Sequence, residues 1–401
     1  MAHLLPPIAP VRRIRYLIFL KDVLILALTT FGGPQVHLAM LYERFVKKRA
    51  YLTEAELLEL NALCQILPGP TSTQTITAVG YKIGGPNLAY ITLLIWVLPA
   101  VCIMTAAGMG MYYLERQHLS LQFARFIPPM AVGFLIIAGF RIGQKVIKNR
   151  VSLLLAVLAA IAAYLFRSPY MTPLVIIIGG LTTGLTYEKQ ARMEKQPLQI
   201  QWSNFFLWLG VLIAAAGLGA VTQSLPVRLF ENFYRNGSLV FGGGQVLTPM
   251  LYNEFVAFKH YLSREEFLSG LGLVQAVPGP VFAFASYIGA LSMRHSGLHG
   301  QLWGSCVATA GIFLPGAFLI FFVYRFWEQL KRYRVVRASL DGINAASSGL
   351  TAAAAVVLLQ PMLPYLPSVL VVGLTMLLLL YTRVPPVVLI LGGLVAGLVI
   401  Q

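Results

Sequence analysis

Two short motifs, each present twice, carry the groups best suited to hold a ligand. FGGPQ fills residues 31–35 and FGGGQ residues 241–245, while PGP fills residues 68–70 and again 278–280. Glycine and proline are the residues least suited to a helix interior, the first through backbone entropy and the second through its missing N–H. A helix that starts just after such a break points unpaired N–H groups and the positive end of its dipole into it. Those groups can ligate an anion without any full charge. The first PGP runs directly into TSTQ, so Thr71, Ser72, Thr73 and Gln74 add hydroxyl and amide donors at the helix start, a set that suits a tetrahedral oxyanion. The hydroxyls of Thr71 and Ser72 would equally serve as helix caps.

Gln35 and Gln245 recur in apolar company, as do Gln65 and Gln275. Such an amide can donate to an anion or satisfy the backbone opened by a break. His37, whose counterpart is Leu247, could donate to an anion, take a proton, or be a satisfied interior histidine. The candidate substrate-binding set is therefore Gly32, Gly33, Gln35, His37, Gly69, Thr71, Ser72, Thr73 and Gln74, with Gly243, Gly244, Gln245 and Gly279 from the second half. Pro34, Pro68, Pro70, Pro278 and Pro280 are the helix breakers. The second copy, PGPVFAFA, lacks the hydroxyls, which makes the first half the better candidate for polar recognition. Lys82 could attract anions electrostatically, but reads first as a snorkelling interfacial lysine.

Other chemistries find no centre. Acids in the apolar segments are few: Asp22 adjoins Lys21, and Glu43 and Glu254 fall at adjacent, not equivalent, repeat positions. No carboxylate pair, nucleophile–histidine arrangement or metal-ligand cluster stands out, so an enzyme, a metal site and a cofactor are not expected. Cys64, Cys102 and Cys306 lie far apart with no CxxC spacing, which indicates neither disulfides nor zinc. The net charge of +16 comes from basic clusters in short loops, around residues 141–150, 189–195 and 325–337. That pattern fixes membrane topology and does not suggest nucleic acid.

The elements that must position these residues are membrane helices. The chain has 401 residues, 58% hydrophobic and 11% charged, and a mean hydropathy of +0.75, too apolar for a soluble globule. Segments near the ~20 residues needed to cross a bilayer include 87–114, 123–140, 203–221, 299–324, 343–359 and 386–400. Residues 16–31 read as a retained first span, with Arg12, Arg13 and Arg15 ahead of it favouring a cytoplasmic N-terminus.

A shift of 210 residues lays FGGPQVHLAMLYERFV over FGGGQVLTPMLYNEFV, and YLTEAELLELNALCQILPGP over YLSREEFLSGLGLVQAVPGP, without a gap. The chain is a tandem duplication. Farther on the shift grows to 216, with WVLPA over IFLPG, and the extra residues are expected near residues 294–297. The expected fold is all-α, a polytopic membrane protein of two homologous repeats in inverted orientation, a parallel pair being the alternative, with broken or re-entrant helices at each motif. The layout is a basic cytoplasmic tail (1–15), a first transmembrane repeat (16–187), a polar linker (188–202), an additional helix (203–222) and a second repeat (223–401). Small-residue stretches at 214–220 and 352–355 could pack helices within one chain or in a homodimer.

With FGGP near the start, PGPTSTQ after it, a helix carrying WVLP at 96–99, and FGGGQV with VPGP in the second half, the sequence resembles the long-chain chromate ion transporters over nearly its whole length. The resemblance implies a plasma-membrane carrier that exports chromate and confers chromate resistance, with sulfate as the isosteric competitor. It also implies two homologous domains of opposite membrane orientation. Alternatives on the residues alone are an anion channel, a carrier of another oxyanion, or a membrane-embedded enzyme.

Overall fold

The computed structural model describes residues 9–31, 34–117, 124–166, 171–185, 200, 202–241, 244–327, 333–382 and 384–399. Among them lie sixteen α-helices and no strand. The first half holds α1 (Ala9–Thr29), α2 (Pro34–Leu41), α3 (Glu54–Ile66), α4 (Thr71–Arg116), α5 (Ile127–Val146), α6 (Arg150–Leu165) and α7 (Met171–Gly184). After α8 (Ser203–Thr222), the second half holds α9 (Leu225–Leu239), α10 (Gly244–Tyr252), α11 (Arg264–Ala276), α12 (Phe284–Ser292), α13 (Gly297–Tyr324), α14 (Arg334–Leu359), α15 (Leu366–Tyr381) and α16 (Pro386–Val399). Helix α1 reaches back to Ala9, through the arginines expected in a tail, because arginine is a good helix former. Most of the polar linker lies outside the described residues.

The duplication extends to the backbone. Helices α2 and α10 each run into a π-helical turn, Tyr42–Lys48 and Asn253–Phe258. Each turn is followed by a non-glycine residue of positive φ, Ala50 at 47° and His260 at 54°. Each next helix then opens with a capping box, Thr53 with Glu56 and Ser263 with Glu266. Helix α3, of 13 residues, is roughly 20 Å long at 1.5 Å per residue, so it reaches only about the middle of a bilayer before the chain turns back at PGP. Residues 71–83 return to the starting level, where Lys82 Nζ lies 2.5 Å from Glu56 Oε1. In the second half Arg294 pairs with Glu266 at the same place. Each half thus contains a re-entrant hairpin closed at its mouth by an ion pair.

The two mouths face opposite ways. Helix α4 is kinked at Gly84 and Gly85, beside the first mouth, and there Gly84 lies against the Tyr16 ring of α1. Its other end brings Glu115 within 3.9 Å of Arg294 at the second mouth. Helix α13 runs the reverse course, from the second mouth to a stack of Phe321 and Tyr324 on Tyr81 at the first. The repeats are therefore inverted. Thr71–Arg116, Ser203–Thr222, Arg294–Tyr324 and Ala338–Met362 contain helix long and apolar enough to cross a membrane, and shorter apolar helices accompany them.

The extra residues of the second half are not confined to residues 294–297. Gly85 (φ 75°, ψ −166°) and Gly297 (φ 70°, ψ −165°) open the two long helices with the same geometry, which absorbs two of the six. The other four fall inside α13, between Gly297 and Pro315. Four residues make slightly more than one helical turn, so the insertion lengthens the helix and turns its faces by only about 40°.

Helices α5, α6 and α7 pack against α14, α15 and α16 as a second layer around this centre. The backbones meet at small residues, Gly179 against Gly342 and Ala156 against Gly349, where even a methyl group would collide.

Candidate functional site

At each PGP the glycine adopts a conformation closed to other residues, φ 122° at Gly69 and 103° at Gly279. The turn aims each glycine N–H across the molecule. Gly69 donates to the Val240 carbonyl at 2.7 Å and Gly279 to the Thr30 carbonyl at 2.9 Å. Val240 and Thr30 immediately precede the two FGG motifs. Each PGP break is thus bound to the FGG break of the other repeat, a reciprocal pattern that only a two-fold relation produces.

Helix α4 starts from Pro70 with no side-chain cap, and its first intrahelical bond from this end is Gln74 N–H to Pro70 O, 2.9 Å. The N–H groups of Thr71, Ser72 and Thr73 precede that bond and have no intrahelical acceptor. On the second side Pro280 begins a 3-10 turn, Val281–Ala283, likewise without a side-chain cap, that leads into α12. Both helix starts line one cavity of about 100 Å³, roughly three water volumes. Its walls are His37, Pro70, Thr71 and Ser72 from the first repeat, and Thr248, Leu271, Gln275, Pro280, Val281 and Phe282 from the second. Ala131, Phe134, Leu135 and Ala138 of α5 complete it. Among the described residues lining it none carries a permanent charge, so its recognition rests on dipoles, N–H groups, hydroxyls, one amide and one imidazole.

Ser72 Oγ lies 2.9 Å from His37 Nδ1, and the His37 ring stands edge-on to Trp96 at 5.4 Å between centroids. Neither Thr71 nor Ser72 caps the helix, which leaves the Ser72 hydroxyl to the histidine. The next two residues of the motif turn away. Thr73 Oγ1 accepts from Trp96 Nε1 at 3.2 Å, and Gln74 Nε2 donates to the carbonyls of Pro68, 2.8 Å, and Gly316, 3.3 Å. They brace the break from behind, where Pro68 offers its carbonyl to the Gln74 amide, while Pro278 opens the second PGP. Pro34 is the first residue of α2 and Gly244 the first of α10; the side chains of Gln35 and Gln245, like Gly32, Gly33 and Gly243 entirely, lie outside the described residues.

Thr248 and the α5 wall were not legible beforehand. Thr248 stands opposite Leu38 in the repeat, and Phe134, Leu135 and Ala138 look like any apolar span. Gln275 recurs with Gln65, the signal that could have placed it.

Charged groups gather away from the cavity. Asp22 is fully buried; it accepts from Arg44 Nε at 2.9 Å, Arg49 Nε at 2.8 Å and Tyr51 Oη at 2.7 Å. In the second repeat Glu254, 1% exposed, accepts from Arg235 Nη2 at 3.0 Å and meets Lys259 Nζ at 3.3 Å. Lys82 is committed to Glu56 at the mouth, where its ammonium, and after it the Thr53 N–H, hold the Glu56 carboxyl down to about 2. No group of three or more metal-ligating side chains occurs among the described residues.

A family model described as chromate transporter matches residues 17–185 and 227–398, one stretch in each repeat. The chain is 25% identical over 375 residues to a chromate transport protein of Cupriavidus metallidurans, spanning 92% of this chain and 89% of that one. It is 26% identical over 346 residues to a chromate transport protein of Pseudomonas aeruginosa, 85% and 80% of the two chains. An uncharacterized transporter of Methanocaldococcus jannaschii is 22% identical over 392 residues, 96% and 93% of the two. No solved structure matches the chain.

Proposed function

The chain belongs to the chromate transporter family, and from that premise we propose that it exports chromate across the plasma membrane by alternating access, with the cavity between the two PGP breaks as the oxyanion site. The observation that carries this reading is the convergence of two uncapped helix starts, one from each inverted repeat, on a single cavity without a permanent charge. A tetrahedral oxyanion there would be met by the open N–H groups of 71–73 on one side and of Val281 and Phe282 on the other, with Thr71, Ser72, Thr248 and Gln275 within the same walls. Sulfate has the same shape and charge and is the expected competitor. Scarce carboxylates in the walls disfavour a cation.

The two repeats, residues 16–187 and 223–401, would rock against each other about this fixed site, with α8 between them supplying the crossing that inverts the second. The basic residues between α5 and α6 and beyond α13 favour a cytoplasmic N-terminus by the positive-inside rule. With that orientation a negative interior drives the anion outward at about 2.3 kcal/mol per charge per 100 mV, and twice that for a dianion. Export by such a carrier would confer chromate resistance on the cell.

The test is uptake of labelled chromate into inverted vesicles with an imposed potential, with and without excess sulfate. Saturable, potential-driven uptake that sulfate inhibits supports the reading. Flux that does not saturate would identify a channel, and absence of flux in both orientations would end the chromate assignment.

A further inference from the structure

We propose that His37 takes up a proton when the oxyanion binds, so that a full positive charge appears in the cavity only together with its ligand. The inference rests on the reading of the cavity as the oxyanion site and names its coupling ion. Among the described residues lining the cavity, His37 is the one whose side chain can become charged near neutral pH.

Its anchorage ties that charge to the helix start that would hold the anion. Nδ1 lies 2.9 Å from Ser72 Oγ, and the ring rests edge-on against Trp96, whose Nε1 is fixed by Thr73. Ser72 and Thr73 belong to the uncapped first turn of α4, so imidazole and open N–H groups form one rigid unit.

The Ser72–His37 bond can run in two directions. With Nδ1 unprotonated, the serine hydroxyl donates its hydrogen to the imidazole. With the imidazolium, Nδ1–H donates to Ser72 Oγ, and the serine hydrogen is released to point into the cavity. One proton taken from solvent therefore supplies both a positive charge and a free hydroxyl donor to the anion. The bound dianion in turn favours the imidazolium, which is the reciprocal half of the linkage.

Among the described residues no other charge lines the cavity to compete for this role. On the elements packed against α2, Arg44 is bound to Asp22, Lys47 to Glu43 and Lys82 to Glu56, while Glu115 lies beside Arg294. Lys48 and Arg116 are exposed, and neither they nor the tyrosines and Cys102 of α4 line the cavity. Arg141 on α5, Tyr252 on α10, and Arg264, Glu265 and Glu266 on α11 do not line it either. The repeat counterpart Leu247 makes the proton site single, although the scaffold is duplicated.

The consequence for transport is that a dianion would leave with one proton, carrying one net negative charge per cycle. Calorimetric titration of the full-length protein in nanodiscs tests this, with sulfate and chromate each added in two buffers of different ionisation enthalpy at a pH where both anions are fully ionised. Wild type is expected to take up close to one proton per anion, with affinity falling up to about tenfold per pH unit above the histidine range. His37→Gln is expected to bind more weakly, with no proton uptake and no pH dependence. Equal binding enthalpies for wild type in the two buffers would overturn the inference while leaving the site in place. Failure of either anion to bind in any buffer would instead remove the oxyanion site and this inference with it.

Discussion

The two broken arms share a backbone and differ in nearly everything attached to it. Both have the π-helical turn, the positive-φ residue, the capping box and the glycine that bonds across to the other repeat. Yet Ser72 faces Phe282 in the alignment, Thr71 faces Val281, and His37 faces Leu247. Even the buried ion clusters are reversed: the acid sits on α1 in the first repeat, at Asp22, and on the turn after α10 in the second, at Glu254, a position occupied by Arg44 in the first. The lesson is that duplication fixed the breaks, because each is a hydrogen-bond partner of the other. The side chains were released to specialise, one arm in polar recognition and the other in shape.

The sharpest way to break this symmetry is at the shared glycines. Gly69→Leu forces a side chain into φ 122° and against the Gln74 amide, a strain of several kcal/mol; chromate uptake into vesicles should fall at least about 100-fold with the protein still inserted. Gly279→Leu should do the same from the other side, and a large difference between them would argue against a joint built equally from both repeats.

Exchanging the specialised residues comes next. Ser72→Ala should raise the half-saturating chromate concentration roughly tenfold, the value of a hydrogen bond to a charged group, whereas Phe282→Ala should alter it less than about threefold, with a loss of rate from poorer packing. Equal effects would mean that the arms have not diverged in role.

The ion clusters allow a polarity test. Asp22→Asn leaves Arg44 and Arg49 without their buried acceptor, and thermal unfolding in detergent should show a cost of about 1–3 kcal/mol. Transferring the reversed polarity of the second repeat, Asp22→Arg with Arg44→Asp, should recover most of it.

The smallest effect belongs to the mouth. Lys82→Ala removes an ion pair that is partly exposed, worth at most about 1 kcal/mol, and flux should change less than about twofold. Because Glu56 is held below its usual value of 4.5, the stability from this pair is complete above pH 4.5 and disappears as pH falls toward 2. A titration of unfolding against pH should lose that slope in the variant.

The duplication, the breaks and the family could be read from the sequence because they are written in backbone-determining residues, glycine and proline at a constant spacing. The cavity was legible only in part. Four consecutive helical residues point in directions about 100° apart, so Thr71, Ser72, Thr73 and Gln74 could not all face one site; the structure gives the first two to the cavity and the last two to Trp96 and Gly316. Thr248 carried no signal, since one threonine in an apolar helix resembles any other. The wall from α5 depended on long-range packing between halves, which local spacing does not encode.

The crossed bonds from Gly69 to Val240 and from Gly279 to Thr30 have a consequence for how such a protein can be divided. Neither half closes its own break, so neither is a self-sufficient unit of folding even though each is a complete unit of inheritance. The same junction would form between halves supplied as two separate polypeptides, since no part of it runs through the connecting segment. A cell could encode this machine as one gene or as a pair, but one product alone would leave its glycine donor without an acceptor and its carbonyl without a donor.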